Sequence, residues 1–368
     1  MKISCTQEKL NKGLSIVSRV VGARTTLPVL SNIFLEARAG ELKLSATDLE
    51  IGVSTTIGAK IDAEGAITAP ARLISEFIAT NDDESITLES KDTTLHLKSD
   101  RYEANIHGID PAEFPVIPDI AKDSLIEIKS DEFIKAASKV IIACATDDTR
   151  PVLAGVFFKF VKNQLFLVAT DSYRLAEKTI DVPGAEAEKE FIVPSRAMQE
   201  VLRIAASGEG AGKIRLTATE NQASFAVGDT HIISRLIEGA FPNYKQIIPT
   251  SLQTSACIDL PEMISGVKMA ALFARQAANN IKIKFLPKEL VITSVAAEIG
   301  DNLSHIAAEV SGEEVEIAFN AKYILDILQV LPEKKVLFEV NDKASPGVIK
   351  PEKAKDYIYI IMPLRVEE

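Results

Sequence analysis

At residues 35–44 the chain reads LEARAGELKL, in which apolar and polar side chains alternate on both sides of an Ala-Gly pair. Alternation with a period of two around turn residues is typical of a β-hairpin. The pattern returns as FKFVKNQLFL at residues 158–167 and as IKFLPKELVI at residues 283–292. The turns are expected at Ala39-Gly40, around Lys162-Asn163 and around Pro287-Lys288. The chain is therefore predicted to form the same hairpin three times.

The three copies are evenly spaced. Their leucines Leu42, Leu165 and Leu290 lie 123 and 125 residues apart. Apolar residues three and four apart predict two amphipathic helices in each copy. The six helical segments are 7–24, 70–81, 131–150, 194–207, 261–276 and 320–331. Repetition at one period indicates a repeat architecture. We expect three repeats, each made of two half-repeats with one helix and roughly four strands.

This pattern predicts an α+β fold of three repeated domains, because a helix with one apolar stripe must bury it against a second layer. The two helices of each repeat would cover one side of a sheet and leave the other side to solvent. Linkers are expected near residues 118–124 and 249–254. The predicted domains are residues 1–121, 122–250 and 251–368.

Composition limits the function classes. The chain has 368 residues, with 52 acidic and 41 basic side chains and a formal net charge of −11. This charge argues against a generally basic coat for nucleic acid but allows a local basic surface. The three cysteines are far apart and odd in number, which fits a reducing compartment. With no apolar leader or membrane-length segment in the sequence, we expect a soluble, cytoplasmic protein.

The sequence contains no recognisable motif for catalysis, metal binding or cofactor binding. None of the four histidines, His96, His107, His231 and His305, pairs with another at metal-site spacing. The glycine-rich segment 208–213 has one residue too few for a phosphate loop and no Ser or Thr after its lysine. We expect it to be a flexible turn, and the acidic run at 82–84 to be a solvated turn. The predicted sites therefore include no catalytic residue, metal or cofactor.

Charge is distributed unevenly. The six helical segments carry 13 basic and 9 acidic residues, so the rest of the chain is more acidic than the whole. One interpretation is that helices commonly expose lysine and arginine. The other is a basic helical face on an acidic body, which would meet phosphates without reading bases.

Several stretches in order resemble the bacterial replicative DNA polymerase sliding clamp family, the beta-clamps. They are TLPVLSN at 26–32, ATDLE at 46–50, DPAEFP at 110–115, RPVLAGV at 150–156, ATDSYRL at 169–175, EGAFPNY at 238–244 and MPLR at 362–365. Each stretch is modest alone, but the ordered set spans nearly the whole chain.

The resemblance implies the DNA clamp fold and a non-catalytic processivity factor. Such a protein forms a head-to-tail homodimeric ring around double-stranded DNA, with helices inside and sheets outside. An ATP-driven clamp loader opens the ring, and the replicative DNA polymerase and other clamp-motif proteins bind to it. By position in the family pattern, the residues expected to contact DNA are Arg24, Arg72, Arg150 and Arg196. A structural interpretation of each as an exposed helix-end arginine remains open.

The resemblance also implies an apolar cleft for partner peptides at the boundary of the second and third domains. Its residues would be Leu153, Thr170, Tyr173, Arg174, Leu175, Pro242, Ile247, Pro346, Ile360, Met362, Pro363 and Arg365. Apolar walls with a few polar groups suit such peptides, although some of these aliphatic residues could be ordinary core. Tyr173 stands where the family often has histidine, and residues 366–368 extend past the usual ending.

For the dimer contact the resemblance points to Ile106, Leu272 and Phe273, which we expect to be exposed. Two other functions are weighed. A monomeric scaffold could bind peptides without encircling DNA. A magnesium-dependent nucleic-acid enzyme could use carboxylates such as Asp48, Asp147 and Asp171.

Overall fold

The computed structural model describes residues 1–22, 27–118, 126–147, 149–185, 188–207 and 212–365. Two compact units divide the chain. The first unit consists of Met1–Asp131 and Gln199–Leu236, and the second of Glu132–Met198 and Ile237–Glu368.

The described residues contain six α-helices, one for each predicted segment. They are α1 (Gln7–Val17), α2 (Ala71–Thr80), α3 (Ser130–Ile141), α4 (Ser195–Ala206), α5 (Leu260–Ala274) and α6 (Ala321–Leu328). Three predicted segments were too long, namely 7–24, 131–150 and 320–331, the last of which ends as a helix at Leu328. After Val17 the chain tightens into a 3-10 turn. Helix α3 is followed by a loop in which the Ala145 N–H donates to the Leu153 carbonyl at 2.9 Å, so the backbone leaves the helical path.

Twenty-five strands are defined within these same ranges. In the first third of the chain they are β1 (Lys2–Thr6), β2 (Asn32–Arg38), β3 (Glu41–Thr47), β4 (Ile51–Gly58), β5 (Lys60–Ala63), β6 (Gly65–Pro70), β7 (Ser85–Lys91), β8 (Thr94–Lys98) and β9 (Glu103–His107). In the middle third they are β10 (Ile126–Lys129), β11 (Gly155–Val161), β12 (Gln164–Thr170), β13 (Arg174–Asp181), β14 (Lys189–Pro194), β15 (Lys213–Ala218), β16 (Gln222–Val227) and β17 (Thr230–Arg235). In the last third they are β18 (Thr254–Asp259), β19 (Asn280–Leu286), β20 (Glu289–Ala296), β21 (Gly300–Ser311), β22 (Val315–Asn320), β23 (Lys335–Val340), β24 (Gly347–Pro351) and β25 (Tyr357–Ile361).

The order of elements confirms the half-repeats. Each consists of a strand, a helix and three further strands, and β5 is the one addition. The first two predicted hairpin turns are also confirmed. Ala39 and Gly40 have φ of 54° and 85°, and Lys162 and Asn163 have φ of 49° and 62°. Two consecutive residues with positive φ match the twist of the flanking strands.

Within its described residues, the first unit contains two antiparallel sheets. Their strand orders are β5-β1-β7-β8-β9 and β10-β15-β16-β17-β4-β3-β2-β6. Helix α1 packs on β3 and β4 through Leu10, Leu14 and Val17, which are fully buried as the helical pattern predicts. In the larger sheet β4 pairs with β17, so strands 175 residues apart along the chain lie side by side.

The second unit is built on one sheet of twelve strands as far as the structure describes it. Its order is β14-β11-β12-β13-β25-β24-β23-β18-β21-β20-β19-β22. Strand β13 of the middle third pairs with β25 of the last third, with Leu175 opposite Ile360. Helix α5 packs on β20 and β21. The predicted linker at 249–254 runs into β18, whereas 119–125 lies outside the described residues.

The acidic run at 82–84 is not wholly solvated, and that expectation was wrong for Asp83. Asp83 is buried, and its carboxylate accepts hydrogen bonds from the Ser99 hydroxyl at 2.7 Å and from Arg101 Nε at 2.6 Å. The Ser99 hydroxyl and the Arg101 N–H groups hold the pKa of Asp83 below its usual range. A buried carboxylate is tolerated because these donors replace its water. The segment 208–211 lies outside the described residues.

No helix in the described ranges combines the length and the apolar character needed to cross a membrane.

The three thiols are expected to react at very different rates. Burial raises the pKa of the Cys5 thiol to about 11 and that of Cys144 to about 12, so neither forms a thiolate near neutral pH. Cys257 is only half-buried, although burial raises its pKa as well. Iodoacetamide at pH 8, followed by peptide mass spectrometry, should therefore modify Cys257 first. Modification of Cys144 in the folded protein at the rate of Cys257 would contradict this prediction.

Candidate functional site

A tight loop between β12 and β13 organises the predicted peptide cleft in the second unit. Thr170 donates its hydroxyl to the Arg174 carbonyl at 2.7 Å and accepts the Ser172 N–H at 3.1 Å. Asp171 Oδ1 accepts the N–H groups of Tyr173 and Arg174, both at 2.9 Å. Ser172 has a φ of 77°. Short polar side chains that bind nearby backbone groups stabilise such turns, so Thr170 and Asp171 fix the shape of the loop.

Arg174 is held inside the site by two carboxylates. Its side chain is 6% exposed, and it donates to Asp171 at 3.0 Å and to Asp326 of α6 at 2.5 Å. The guanidinium lies 4.3 Å from the centre of the Tyr323 ring. Burial opposes the charge of Arg174, but its interactions with Tyr359 and the two aspartates outweigh burial and raise its pKa. Arg174 therefore joins the loop to α6 as a permanent cation.

Beneath the loop lies an apolar cluster. Its buried members are Phe157, Val168, Leu175, Ile192, Tyr244, Val348 and Ile360. The Phe157 and Phe241 rings stack with centroids 4.7 Å apart. Burial and a hydrogen bond to Glu177 raise the pKa of Tyr244, so its hydroxyl remains a neutral donor. This cluster gives the cleft a rigid apolar floor.

The structure brings the predicted cleft residues into the second unit at three levels of exposure. Buried are Leu153, Thr170, Arg174, Leu175 and Ile360; half-buried are Ile247, Pro346, Met362 and Pro363; exposed are Tyr173, Pro242 and Arg365. The Met362 N–H donates to the Tyr173 carbonyl at 2.8 Å, which fixes the chain after β25 beside the loop. Leu153 and Leu175 are therefore core residues, as the alternative interpretation anticipated, whereas Tyr173 is exposed and Met362 partly so. Residues 366–368 lie outside the described residues.

Sequence reasoning missed two residues of α6 at this site. The Tyr323 ring stacks on Tyr173 with centroids 6.5 Å apart, and Asp326 accepts from Arg174. The only hint in the sequence is their spacing of three, which puts both on one face of a helix. Because 152 residues separate Arg174 from Asp326, the pattern around Arg174 carries no sign of this contact.

The predicted DNA-binding arginines are exposed where the structure describes them. Arg72 lies on α2 and pairs with Glu76 one turn later at 2.8 Å. Arg150 is exposed just before a 3-10 turn, and Arg196 is exposed in the first turn of α4. Arg24 lies outside the described residues. A solvent-exposed pair such as Arg72–Glu76 contributes little energy.

The expectation of an exposed Ile106 was wrong. Ile106 is 3% exposed, because its side chain on β9 faces the interior of the first unit. Leu272 near the end of α5 is 52% exposed, as expected, and Phe273 is half-buried. Any contact through β9 would therefore use its backbone rather than the Ile106 side chain.

The aspartates of the magnesium alternative have local roles. Asp48 accepts the N–H groups of Glu50 and Ile51, as Asp171 does in its own loop, and Asp147 accepts the Thr149 N–H at 3.1 Å. Among the residues that the structure describes, no group of three or more His, Cys, Asp or Glu side chains is placed to hold a metal ion.

Comparison with protein families matches nearly the whole chain. The models for the N-terminal, central and C-terminal domains of the DNA polymerase III beta subunit match residues 1–118, 127–243 and 245–365. The beta sliding clamp of Synechococcus elongatus is 32% identical over 375 residues, covering 100% of both chains. That of Staphylococcus aureus is 29% identical over 358 residues, covering 94% of each.

Solved structures agree. The Bacillus subtilis DNA polymerase sliding clamp superposes with a TM-score of 0.94 at 26% identity, with all of both chains covered. The Caulobacter crescentus beta sliding clamp, solved with polyethylene glycol in its beta-motif tethering region, gives 0.92 at 29% identity, covering 100% of this chain and 99% of that one. With three matching domain models and a relative at 32% identity over its full length, this chain belongs to the DNA polymerase III beta subunit family, the bacterial beta sliding clamps, and has their three-domain clamp fold of mixed helices and sheets.

Proposed function

We propose that two copies of the chain close head to tail into a ring around double-stranded DNA, with helices toward the DNA and sheets outside. The function of the chain is that of a DNA sliding clamp, a non-catalytic processivity factor. The full-length family match is the single observation that carries the proposal. The proposed domains are 1–121, 122–250 and 251–368. Because it acts on replicating DNA, we place the protein in the cytoplasm.

Two open strand edges support the dimer. Strand β9 is the last strand of its sheet. Residues 300–307 of β21 pair with β20 on one side, and β18 pairs with β21 only from Ala308 onward. Open edges are templates for pairing, so a head-to-tail contact between β9 and β21 would remove both. Leu272 and Leu303, which are 52% and 57% exposed, would be covered there, and Phe273 with them. Head-to-tail contacts that close produce a ring.

Negative-stain electron microscopy of the purified protein tests the ring. The expected particle is a hollow ring of six lobes with twice the mass of the 39.9 kDa chain. Compact particles without a hole, together with a monomer mass in sedimentation, would favour the monomeric docking scaffold.

The exposed arginines support sequence-blind contact with DNA, and their reversal is a testable prediction. We expect the triple variant Arg72→Glu, Arg150→Glu and Arg196→Glu to reduce loading on nicked circular DNA by at least about tenfold, because each reversal removes a cation and adds an anion beside phosphates. The matched control reverses three exposed basic residues at hairpin turns, Arg38, Lys162 and Lys288. Loading that falls equally in both variants would refute specific roles for the three arginines.

The cleft in the second unit is proposed to bind peptides of the replicative polymerase, the clamp loader ATPase and other clamp-motif proteins. An apolar floor with a few oriented polar groups suits a short peptide with bulky apolar anchors. Tyr173 and Met362 lie at the accessible wall, and Met362 can adapt its shape to different ligands. Fluorescence anisotropy with a labelled clamp-motif peptide of the replicative polymerase should show binding that Met362→Asp abolishes. Unchanged binding by that variant would contradict the assignment.

A further inference from the structure

The first unit contains a groove built on the same plan as the cleft. Here β4 pairs with β17 as β13 pairs with β25, with Gly52 opposite Ile233. The Arg235 N–H donates to the Glu50 carbonyl at 3.0 Å, just as the Met362 N–H donates to Tyr173. Arg235 therefore occupies the position that Met362 holds in the cleft, and Glu50 that of Tyr173.

The supporting parts are also the same. Thr47 donates to the Ile51 carbonyl at 2.9 Å and accepts the Leu49 N–H at 3.0 Å, as Thr170 does in its own loop. Leu49 has a φ of 78°, against 77° for Ser172. The Phe34 and Phe114 rings stack with centroids 5.1 Å apart, in the apolar cluster against which Ile117 of this groove packs. The two grooves therefore share the turn, the strand pairing and the aromatic stack, but Ile51 stands where the cleft has Arg174.

The presented side chains give this groove a different chemistry. Gly52 stands where the cleft has Leu175, and the Ile117 side chain packs over it, 3.1 Å from where a Cβ would lie. A hollow of about 160 Å³ remains beside Ile117 and Ile233. The rim is polar, with Arg235 and Glu50 exposed by 61% and 64%. Their closest N···O distance is 3.5 Å, which describes a loose surface pair that contributes little energy.

We propose that this groove binds a short peptide carrying one branched aliphatic side chain followed by a carboxylate. The aliphatic group would enter the hollow beside Ile117 and Ile233, whose size suits one such side chain and not an aromatic pair. The carboxylate would accept hydrogen bonds from the Arg235 guanidinium, which its loose pairing with Glu50 leaves available. The site is distinct from the proposed cleft, which has no cation at the position of Arg235.

Methyl NMR of the full-length protein, labelled at isoleucine δ1 methyl groups, detects binding at the groove and at the cleft separately. Ile117 and Ile233 report on the groove, while Ile247 and Ile360 report on the cleft. The probe is the peptide acetyl-Ser-Ile-Asp-Ser-amide, and its matched control is acetyl-Ser-Ile-Asn-Ser-amide. We expect saturable shifts at Ile117 and Ile233 with a Kd of about 1 mM, and binding about fivefold weaker for the asparagine peptide.

Two variants decide the outcome. Arg235→Met introduces the residue that the cleft has at the equivalent position, Met362. It should remove the preference for the aspartate peptide. Gly52→Ala places a Cβ 3.1 Å from Ile117 Cγ2, so it should narrow the hollow and weaken both peptides. The methyl spectrum of each variant shows whether it is folded. Equal shifts for both peptides, a preference that survives in Arg235→Met, or shifts only at Ile247 and Ile360 would overturn the proposal. The last outcome would leave the cleft of the proposed function intact.

Discussion

Replacing Arg174 with methionine is expected to lower the free energy of unfolding of the second unit by about 3–5 kcal/mol. The change leaves the Asp171 and Asp326 carboxylates without the cation that they share, and Asp171 is only 13% exposed. An unpaired buried charge costs far more than the net contribution of an intact buried pair. The loop that Arg174 anchors should loosen as well, so peptide binding at the cleft should fall with stability.

Urea denaturation followed by circular dichroism measures this effect, and Arg365→Met is the matched control. Arg365 is exposed at the end of the described chain, so the same substitution there should change stability by no more than about 0.5 kcal/mol. A loss below about 1 kcal/mol for Arg174→Met would show that the two carboxylates find other partners or accept protons. The predicted role of Arg174 as the link to α6 would then be wrong.

Gly108→Ala is expected to destabilise the first unit by about 3 kcal/mol or more. A Cβ at Gly108 would lie 1.8 Å from the Thr68 carbonyl oxygen, which is part of strand β6 and cannot rotate away. The surrounding backbone is further fixed, because Thr68 Oγ1 donates to the Ile109 carbonyl at 2.6 Å and accepts the Ile109 N–H at 2.9 Å. One of these elements must shift, and β9 ends at the residue before Gly108.

A thermal melt of both variants compares Gly108→Ala with Gly58→Ala. Gly58 lies at the end of β4, and a Cβ there would meet nothing within 4 Å. Gly58→Ala should therefore leave the melting temperature unchanged or raise it slightly, because alanine restricts the unfolded chain more than glycine does. Equal melting temperatures for the two variants would mean that the backbone around Thr68 yields easily.

Local features of the fold were predictable from the sequence. The apolar face of α1 and the hairpin turns at Ala39-Gly40 and Lys162-Asn163 follow from residues within a few positions of each other. Helix ends were predicted less well. The segment 131–150 contains helix α3 followed by a loop, which is held by the hydrogen bond from the Ala145 N–H to the Leu153 carbonyl. The spacing of apolar residues does not predict that bond.

Pairings between strands that are distant along the chain could not be predicted from the sequence. Nothing in the pattern of β13 specifies that its neighbour is β25, since register and partner depend on long-range contacts. The same holds for Asp83, which is buried only because Ser99 and Arg101 return to it from the next hairpin. For the cleft, the family resemblance supplied a residue set, but it gave neither the stack of Tyr323 on Tyr173 nor the carboxylate of Asp326.

In the two Thr-Asp loops, at residues 47–51 and 170–174, different side chains fix the backbone and face the solvent. In each loop the first two side chains bind backbone groups of the turn, and the next two residues contribute their backbone N–H groups to these bonds. The side chains of Leu49 and Tyr173, which are 47% and 60% exposed, take no part in those bonds. Substitutions of those side chains could therefore accumulate without harm to the backbone. The same arrangement offers a grafting site for engineering. Leu49 is already 47% exposed, so a fluorophore attached through Leu49→Cys would be held by a turn with a fixed backbone.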